Sequence, residues 1–330
     1  DPLRIVDGVP LTGPGIAPFS MSATGTLAYW PYAPGTAAVL RWFDRDGRFT
    51  PAVDVPARYA GFALSPDARR LAFARFDAKG RSDIWVRDLT RGTDSPLTSD
   101  GYNFTPAWSP DGTRIAYAAA RLRPPDLFVR NLADNSDTLA TSTVPPDFPL
   151  TWVDGASILS VIIDSTSGTD LRISRLADGQ QAAGSTLPLN TRFNEWQARL
   201  SADSRWIAYT TDESGQDEVW VAMFPSGENR RQVSVAGGTA PEWGADGAEI
   251  FYVSRDKQMM ATSFKAGEVG TPRALFRIEN LIDPEDRGIF PGSYPYAVAN
   301  GQRFLAAIKA RDPDAPPISI VLNWPALVKR

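Results

Sequence analysis

An all-β, seven-bladed β-propeller is the fold this sequence predicts, and three observations carry it. The first is Phe104 to Leu132, which reads as three strands in a row: Thr105–Ser109, Arg114–Ala120 and Asp126–Leu132. The second is the turn between the first two, Ser109-Pro110-Asp111-Gly112. Pro presets φ at the second turn position, Asp bonds back to its own chain, and Gly accepts a positive φ. The third is recurrence. Aligned turn positions fall at 24, 67, 111, 154, 203, 246 and 300, in steps of 43, 44, 43, 49, 43 and 54. A period of ~40–45 residues with about four strands per repeat is the signature of propeller blades.

The blades then follow in order. The first uses Phe19–Ser22, Thr26–Trp30, Ala37–Phe43 and Phe49–Val53. Blade two runs from Phe62 through Arg70–Phe76, Asp83–Leu89 and Ser95–Thr98. Blade three closes near Thr138–Thr141, and Pro149–Trp152 opens blade four. Trp196–Ser201 and Thr239–Gly244 open blades five and six. The last blade shows only Tyr296–Ala299, Arg303–Ile308 and Ile318–Asn323, whereas the N-terminus has a spare strand, Leu3–Val6. An unpaired edge invites aggregation, so the N-terminal strand is expected to close the ring against Ile318–Asn323. Residues 1–330 thus read as a single domain, with 1–18 as closing strand and linker and 279–295 as an irregular surface excursion.

Composition removes several chemistries. There is no cysteine and no histidine among the 330 residues, so thiol catalysis, Cys-zinc sites and a Ser-His-Asp triad are excluded. No apolar run reaches ~18 residues, and a net charge of −4 with no basic block gives no nucleic-acid footprint. Asp44-Arg45-Asp46-Gly47 could open a calcium loop, but position 55 is Val where a Glu would be needed. The chain starts at Asp1, and an anchor or signal segment is expected to be missing ahead of it.

The Ser-Pro-Asp-Gly turn, the Asp83-Ile84-Trp85-Val86-Arg87-Asp88-Leu89 strand and the Leu97-Thr98 ending resemble the PD-type propeller repeats of the TolB family. Over about residues 19–324 the chain also resembles the C-terminal extracytoplasmic propeller of bacterial transmembrane serine/threonine kinases. Phe193-Asn194-Glu195, Thr211-Asp212-Glu213-Ser214-Gly215, Gly237-Gly238 before Pro241 and Trp243, and Ile320-Val321-Leu322-Asn323-Trp324 carry that likeness. It implies a domain on the periplasmic or extracellular side of a bacterial membrane. No kinase loop is present. Propellers of prolyl oligopeptidases are similar too, but no Gly-x-Ser-x-Gly elbow occurs.

The repeated Asp67, Asp111, Asp154, Asp203 and Asp246 are expected to cap their own turns rather than cluster. Trp85, Trp108, Trp152, Trp220 and Trp243 recur at blade-equivalent places and are expected between blades. Asp212-Glu213 and Asp217-Glu218 read as a solvated acidic face. Binding is then expected where the innermost strands enter the central channel, at Tyr59, Asn103, Phe104, Asn194, Glu195 and Tyr294. No catalytic residue, metal site or cofactor is expected. The reading is a non-catalytic extracytoplasmic module, subunit or scaffold, that binds proteins of a membrane-associated assembly. The alternative is the sensor domain of a kinase, with a small ligand or peptide in the channel. A carboxylate enzyme would need two acids on one rim with one pKa raised.

Overall fold

Short strands with apolar runs alternate with Gly, Asp and Pro turns throughout, and the computed structural model turns this pattern into 28 strands and no helix among the described residues. The structure describes residues 19–22, 26–29, 36–121, 125–141, 145–164, 168–176, 184–189, 191–282, 293–310 and 319–322.

A small sheet joins β1 (Phe19–Met21) and β2 (Leu27–Tyr29) to β28 (Ser319–Val321) in the order β1-β2-β28. Next come β3 (Ala38–Phe43) and β4 (Phe49–Ala57), which belong to another sheet described below. Four antiparallel sheets follow, each laid down in chain order. They are β5 (Tyr59–Leu64) to β8 (Thr93–Pro96), with β6 (Arg70–Phe76) and β7 (Ser82–Asp88) between; β9 (Asn103–Trp108), β10 (Arg114–Ala119), β11 (Asp126–Asn131) and β12 (Asp137–Thr141); β13 (Asp147–Trp152), β14 (Ser157–Asp164), β15 (Gly168–Arg175) and β16 (Gly184–Thr186); and β17 (Glu195–Leu200), β18 (Trp206–Thr211), β19 (Glu218–Met223) and β20 (Arg231–Gln232). A five-stranded sheet comes next: β21 (Gly238–Trp243), β22 (Glu249–Ser254), β23 (Gln258–Lys265), with both β24 (Glu268–Val269) and β25 (Arg273–Arg277) on β23.

The sheet opened by β26 (Tyr296–Ala299) and β27 (Arg303–Lys309) is completed by β3 and β4, in the order β26-β27-β3-β4. This corrects the expected strand assignment. Ala38–Phe43, not Ile318–Asn323, is the third strand of the last blade, with Ala307 opposite Leu40 and Phe304 opposite Phe43. Burial explains the choice. β3 puts Ala38, Leu40, Trp42 and Phe43 into the interior, whereas Ile320 and Leu322 stay exposed. Each large apolar side chain buried contributes roughly 1.5–3 kcal/mol. Seven turn signals therefore produce six sheets of four or five strands plus one three-stranded sheet, and the count of seven four-stranded blades is not what the described residues form. Leu3–Val6 lies outside the described residues.

The first strands of the six larger sheets pack side by side: β5 on β9, β9 on β13, β13 on β17, β17 on β21, and β26 on both β21 and β5. Five of these six inner strands shift register at the same place. In four of them the extra residue has a positive φ: Gly61, Thr105, Gln197 and Ala240. Such a bulge bends the strand. At Gly61 the neighbour is so near that a Cβ would sit 3.1 Å from the Thr105 Cα, so glycine is required there.

In three blades an indole group ties the blade to the one before. Trp108, Trp152 and Trp243 donate Nε1–H to the carbonyls of Ala63, Ala107 and Arg199, at 3.1, 3.1 and 3.0 Å. Arg70 and Arg114 lie over the Trp108 and Trp152 rings. Turn acids cap their own hairpins as expected. The Ser109 hydroxyl donates to Asp111 at 2.5 Å, and Asp111 accepts from the Thr113 amide at 3.0 Å. That donation holds the Asp111 carboxyl down at about 2. Ser65 with Asp67, and Ser201 with Asp203, repeat it.

Candidate functional site

The rim is formed where each chain segment leaves an outer strand and enters the next inner one, and there a second recurring device appears. At the end of β8, Thr98 accepts from the Ile84 amide and donates to Asp83, 2.9 Å each. Asp83 also accepts from Asn103 on β9, at 3.0 Å. In the next blade Thr141 accepts from Leu127 and donates to Asp147 of β13, at 3.3 and 3.1 Å. After β20, Ser234 accepts from Val219 at 2.7 Å and donates to Glu218, which in turn accepts from the Gly237 amide at 2.8 Å. The Leu-Thr ending seen in the sequence is thus a latch from outer strand to the next blade. Glu218 is buried within it, which corrects its reading as part of a solvated face. A run of acids looks solvated in sequence; the latch donors that justify burying one of them sit 16 and 19 residues away.

The six residues expected at the mouth are placed at this rim, and most are engaged in holding it together. Asn103 is fully buried in the latch. Phe104 packs, half-buried, against the apolar cluster that contains Ala60, Tyr117 and Ala119. Tyr59 is buried at the head of β5 in an edge contact with Phe73. Asn194 bridges two blades: it donates to Asp212 at 2.6 Å and accepts from Thr169 at 3.0 and 3.1 Å. Glu195 is fully buried and accepts from the Thr191 hydroxyl at 2.7 Å. Burial pushes its carboxyl up to about 7, against the Thr191 donors that stabilise the anion. Tyr294 meets a charged group of the channel wall directly.

That group is Arg199, which sequence reasoning missed. It projects from β17 with its guanidinium carbon 3.6 Å from the Tyr294 ring centroid. Its Nε donates to Glu242 of β21 at 3.0 Å and one terminal nitrogen donates to the Leu150 carbonyl of β13 at 2.8 Å. Gln197 adds a bond to the Ser293 carbonyl and accepts from the Ala240 amide, at 3.2 and 2.8 Å. Tyr296 donates to the Ala240 carbonyl at 2.8 Å. Four inner strands thus converge on one ion pair. The Arg199 and Glu242 side chains remain 17% and 14% exposed, so water reaches them inside the wall. Burial pushes the Glu242 carboxyl up, and Arg199 reverses this only in part. The signal was present but needed repeat alignment. Four residues before the turn Asp stand Ala63, Ala107, Leu150, Arg199 and Glu242, so two repeats place a charge where the other three place an apolar residue.

This wall can grip polar or charged groups. Among the described residues of the wall, Glu195 is buried and Glu242 is paired with Arg199. Among the described residues no group of three or more acids is placed to hold a metal ion.

No family model matches the chain. Over 84 residues, 25% of its length, it is 32% identical to the Tol-Pal system protein TolB of Alcanivorax borkumensis, and the match spans 19% of that relative. The putative TolB of Agrobacterium tumefaciens superposes with a TM-score of 0.61 at 15% identity, over 84% of this chain and 99% of that one. TolB from Acinetobacter baumannii gives 0.53 at 19% identity, over 74% and 67%. The fold is that of a TolB-like β-propeller. A TolB-like propeller is also a shape shared with unlike proteins. An oligogalacturonate lyase in complex with manganese matches at a TM-score of 0.51 and 13% identity, over 90% of this chain and 98% of that one. Fold likeness at these identities leaves function to be argued from the site.

Proposed function

We propose that this chain is a non-catalytic, extracytoplasmic β-propeller that acts as a protein-interaction module, as subunit or scaffold of a membrane-associated assembly. The observation that carries the reading is the channel wall. Its ionisable groups, Arg199 and Glu242, are locked to each other and to the Leu150 carbonyl, which suits recognition and not turnover. The relative named as a Tol-Pal system protein supports membership of an assembly. The resemblance to extracytoplasmic propellers supports a periplasmic or extracellular-face location. Residues 1–330 are read as one propeller domain whose six larger sheets close as a ring. Partners are other proteins, and nucleic acid is not among them.

A second reading, the sensor domain of a transmembrane serine/threonine kinase, draws on the same wall. Arg199, Tyr294 and Gln197 would contact a small ligand or peptide entering the channel. Site-specific photo-crosslinkers separate the two. Placed at Phe104 and Asn194 on the rim, they should capture a defined protein in membrane extracts, while one at Arg91 on an outer turn should not. Absence of rim crosslinks, with thermal stabilisation by a small molecule that Arg199→Met abolishes, would favour the sensor.

A further inference from the structure

At the rim, two cavities of about 580 and 600 Å³ adjoin over the sheet opened by β21. The first is polar. Trp196, Asp217, Thr239, Arg255 and Lys257 line it. The second is mostly apolar, with Val235, Tyr252, Met260 and Ala274 in its wall. Arg255, Ser254 and Gly237 belong to both.

Arg255 is held at this junction by packing. Gly237 has φ of +102°, and a Cβ there would meet the Arg255 Cβ at 3.0 Å, so the arginine stem lies on bare backbone. Gly238 is equally confined, with Ser234 where its Cβ would be, at 2.5 Å. Both glycines were singled out in the sequence without a role. The guanidinium is exposed and makes no hydrogen bond or ion pair among the described residues. The nearby Asp256 is already engaged, accepting from Ser254 at 2.6 Å and Gln258 at 2.7 Å. Val235, at 78% exposed, presents an aliphatic surface on the other side.

We propose that this groove takes the C-terminus of a partner polypeptide ending in an aliphatic residue. Arg255 would pair bidentately with the terminal carboxylate, and the side chain of that last residue would lie against Val235 and Met260. The match is one of adjacency. Arg255 lines both cavities, so charge and apolar surface fall within reach of one residue, and a C-terminal aliphatic residue carries both groups on one Cα. The inference rests on the interaction-module reading but places contact at Arg255 and not at the Arg199–Glu242 pair.

The test is fluorescence anisotropy with the whole chain and a fluorescein-labelled peptide, Gly-Ser-Gly-Ser-Val-Leu, as free acid and as C-terminal amide. The free acid should bind at least tenfold more tightly than the amide. Arg255→Glu should weaken the free acid at least tenfold, Arg255→Lys less, and Val235→Asp measurably. Lys265→Glu, on the far end of β23, should change nothing. Equal binding of acid and amide, an unchanged Arg255→Glu, or no binding by the parent at millimolar peptide each overturns the proposal. So does an amidated peptide with an internal Asp that binds as tightly as the free acid. If rim crosslinks persist in Arg255→Glu while peptide binding never appears, the groove fails and the interaction reading stands. If neither appears, both fail.

Discussion

Arg199 and Glu242 show how a single pair can organise a wall built from four strands. Each is nearly surrounded by protein, so removing one leaves the other's polar group without its partner. Arg199→Met should therefore destabilise the fold by about 3–5 kcal/mol, and the double change Arg199→Met with Glu242→Met should recover much of it, as chemical denaturation of the cycle will show. Glu195 makes a different prediction. Its carboxyl sits at about 7 in the fold, against an ordinary 4.5, because it is buried. The fold thus favours the protonated form. This contribution is fully present below about pH 4.5 and is lost as pH rises through 7. By linkage the loss is roughly 3 kcal/mol at most. Glu195→Gln keeps an acceptor for Thr191 and cannot ionise, so its stability should be flatter from pH 4.5 to 8 and exceed that of the parent at pH 8. A parallel pH profile for both proteins would contradict this. Both groups explain what was legible. Glu195 could be picked out by its place at the head of an inner strand. Its burial could not, because Thr191 and Asp170 count only once the blades are packed. Arg199 needed repeat alignment, since nothing in its own neighbourhood marks it.

At the scale of strands and turns, the hairpins were readable because their chemistry is local. Ser, Asp and Gly within four residues suffice, and the bonds Ser109–Asp111–Thr113 confirm the mechanism. The latch was half readable: the Leu-Thr ending stood out, but its acceptor, Asp83, is 15 residues back, and the second donor to that acceptor, Asn103, is one blade on. Ser234→Ala should cost about 1–3 kcal/mol, because it strands the Val219 amide and one bond of buried Glu218. Ser234→Thr, the residue other blades use, should lose much less. Trp152→Phe should cost about 1 kcal/mol for the lost bond to Ala107, plus a smaller packing loss. Thermal melts of the three variants check the order.

For the whole molecule, the repeat was legible and the division of strands among blades was not. Turn signals mark where hairpins are, and seven are present. They do not mark which sheet the following two strands join. β3 and β4 follow the first hairpin in sequence, yet β3 hydrogen-bonds to β27, whose Phe304 lies opposite Phe43, and carries β4 on its other edge, because that arrangement buries Leu40, Trp42 and Phe43. The site depends on this exchange. Tyr294 and Tyr296 reach the channel wall only because β26 is the inner strand of a blade that the N-terminal segment completes.

Engineered disulfides test that pairing directly, since the chain has no cysteine of its own. Arg41 and Ala306 stand opposite each other on β3 and β27. The double variant Arg41→Cys with Ala306→Cys should oxidise to one intramolecular disulfide, and closing so long a loop should raise the melting temperature. Ile320→Cys with Ala306→Cys should stay reduced under the same conditions, whereas Ile320→Cys with Ala28→Cys should cross-link, because β28 lies on β2. Cross-linking between 306 and 320, with none between 41 and 306, would contradict the account.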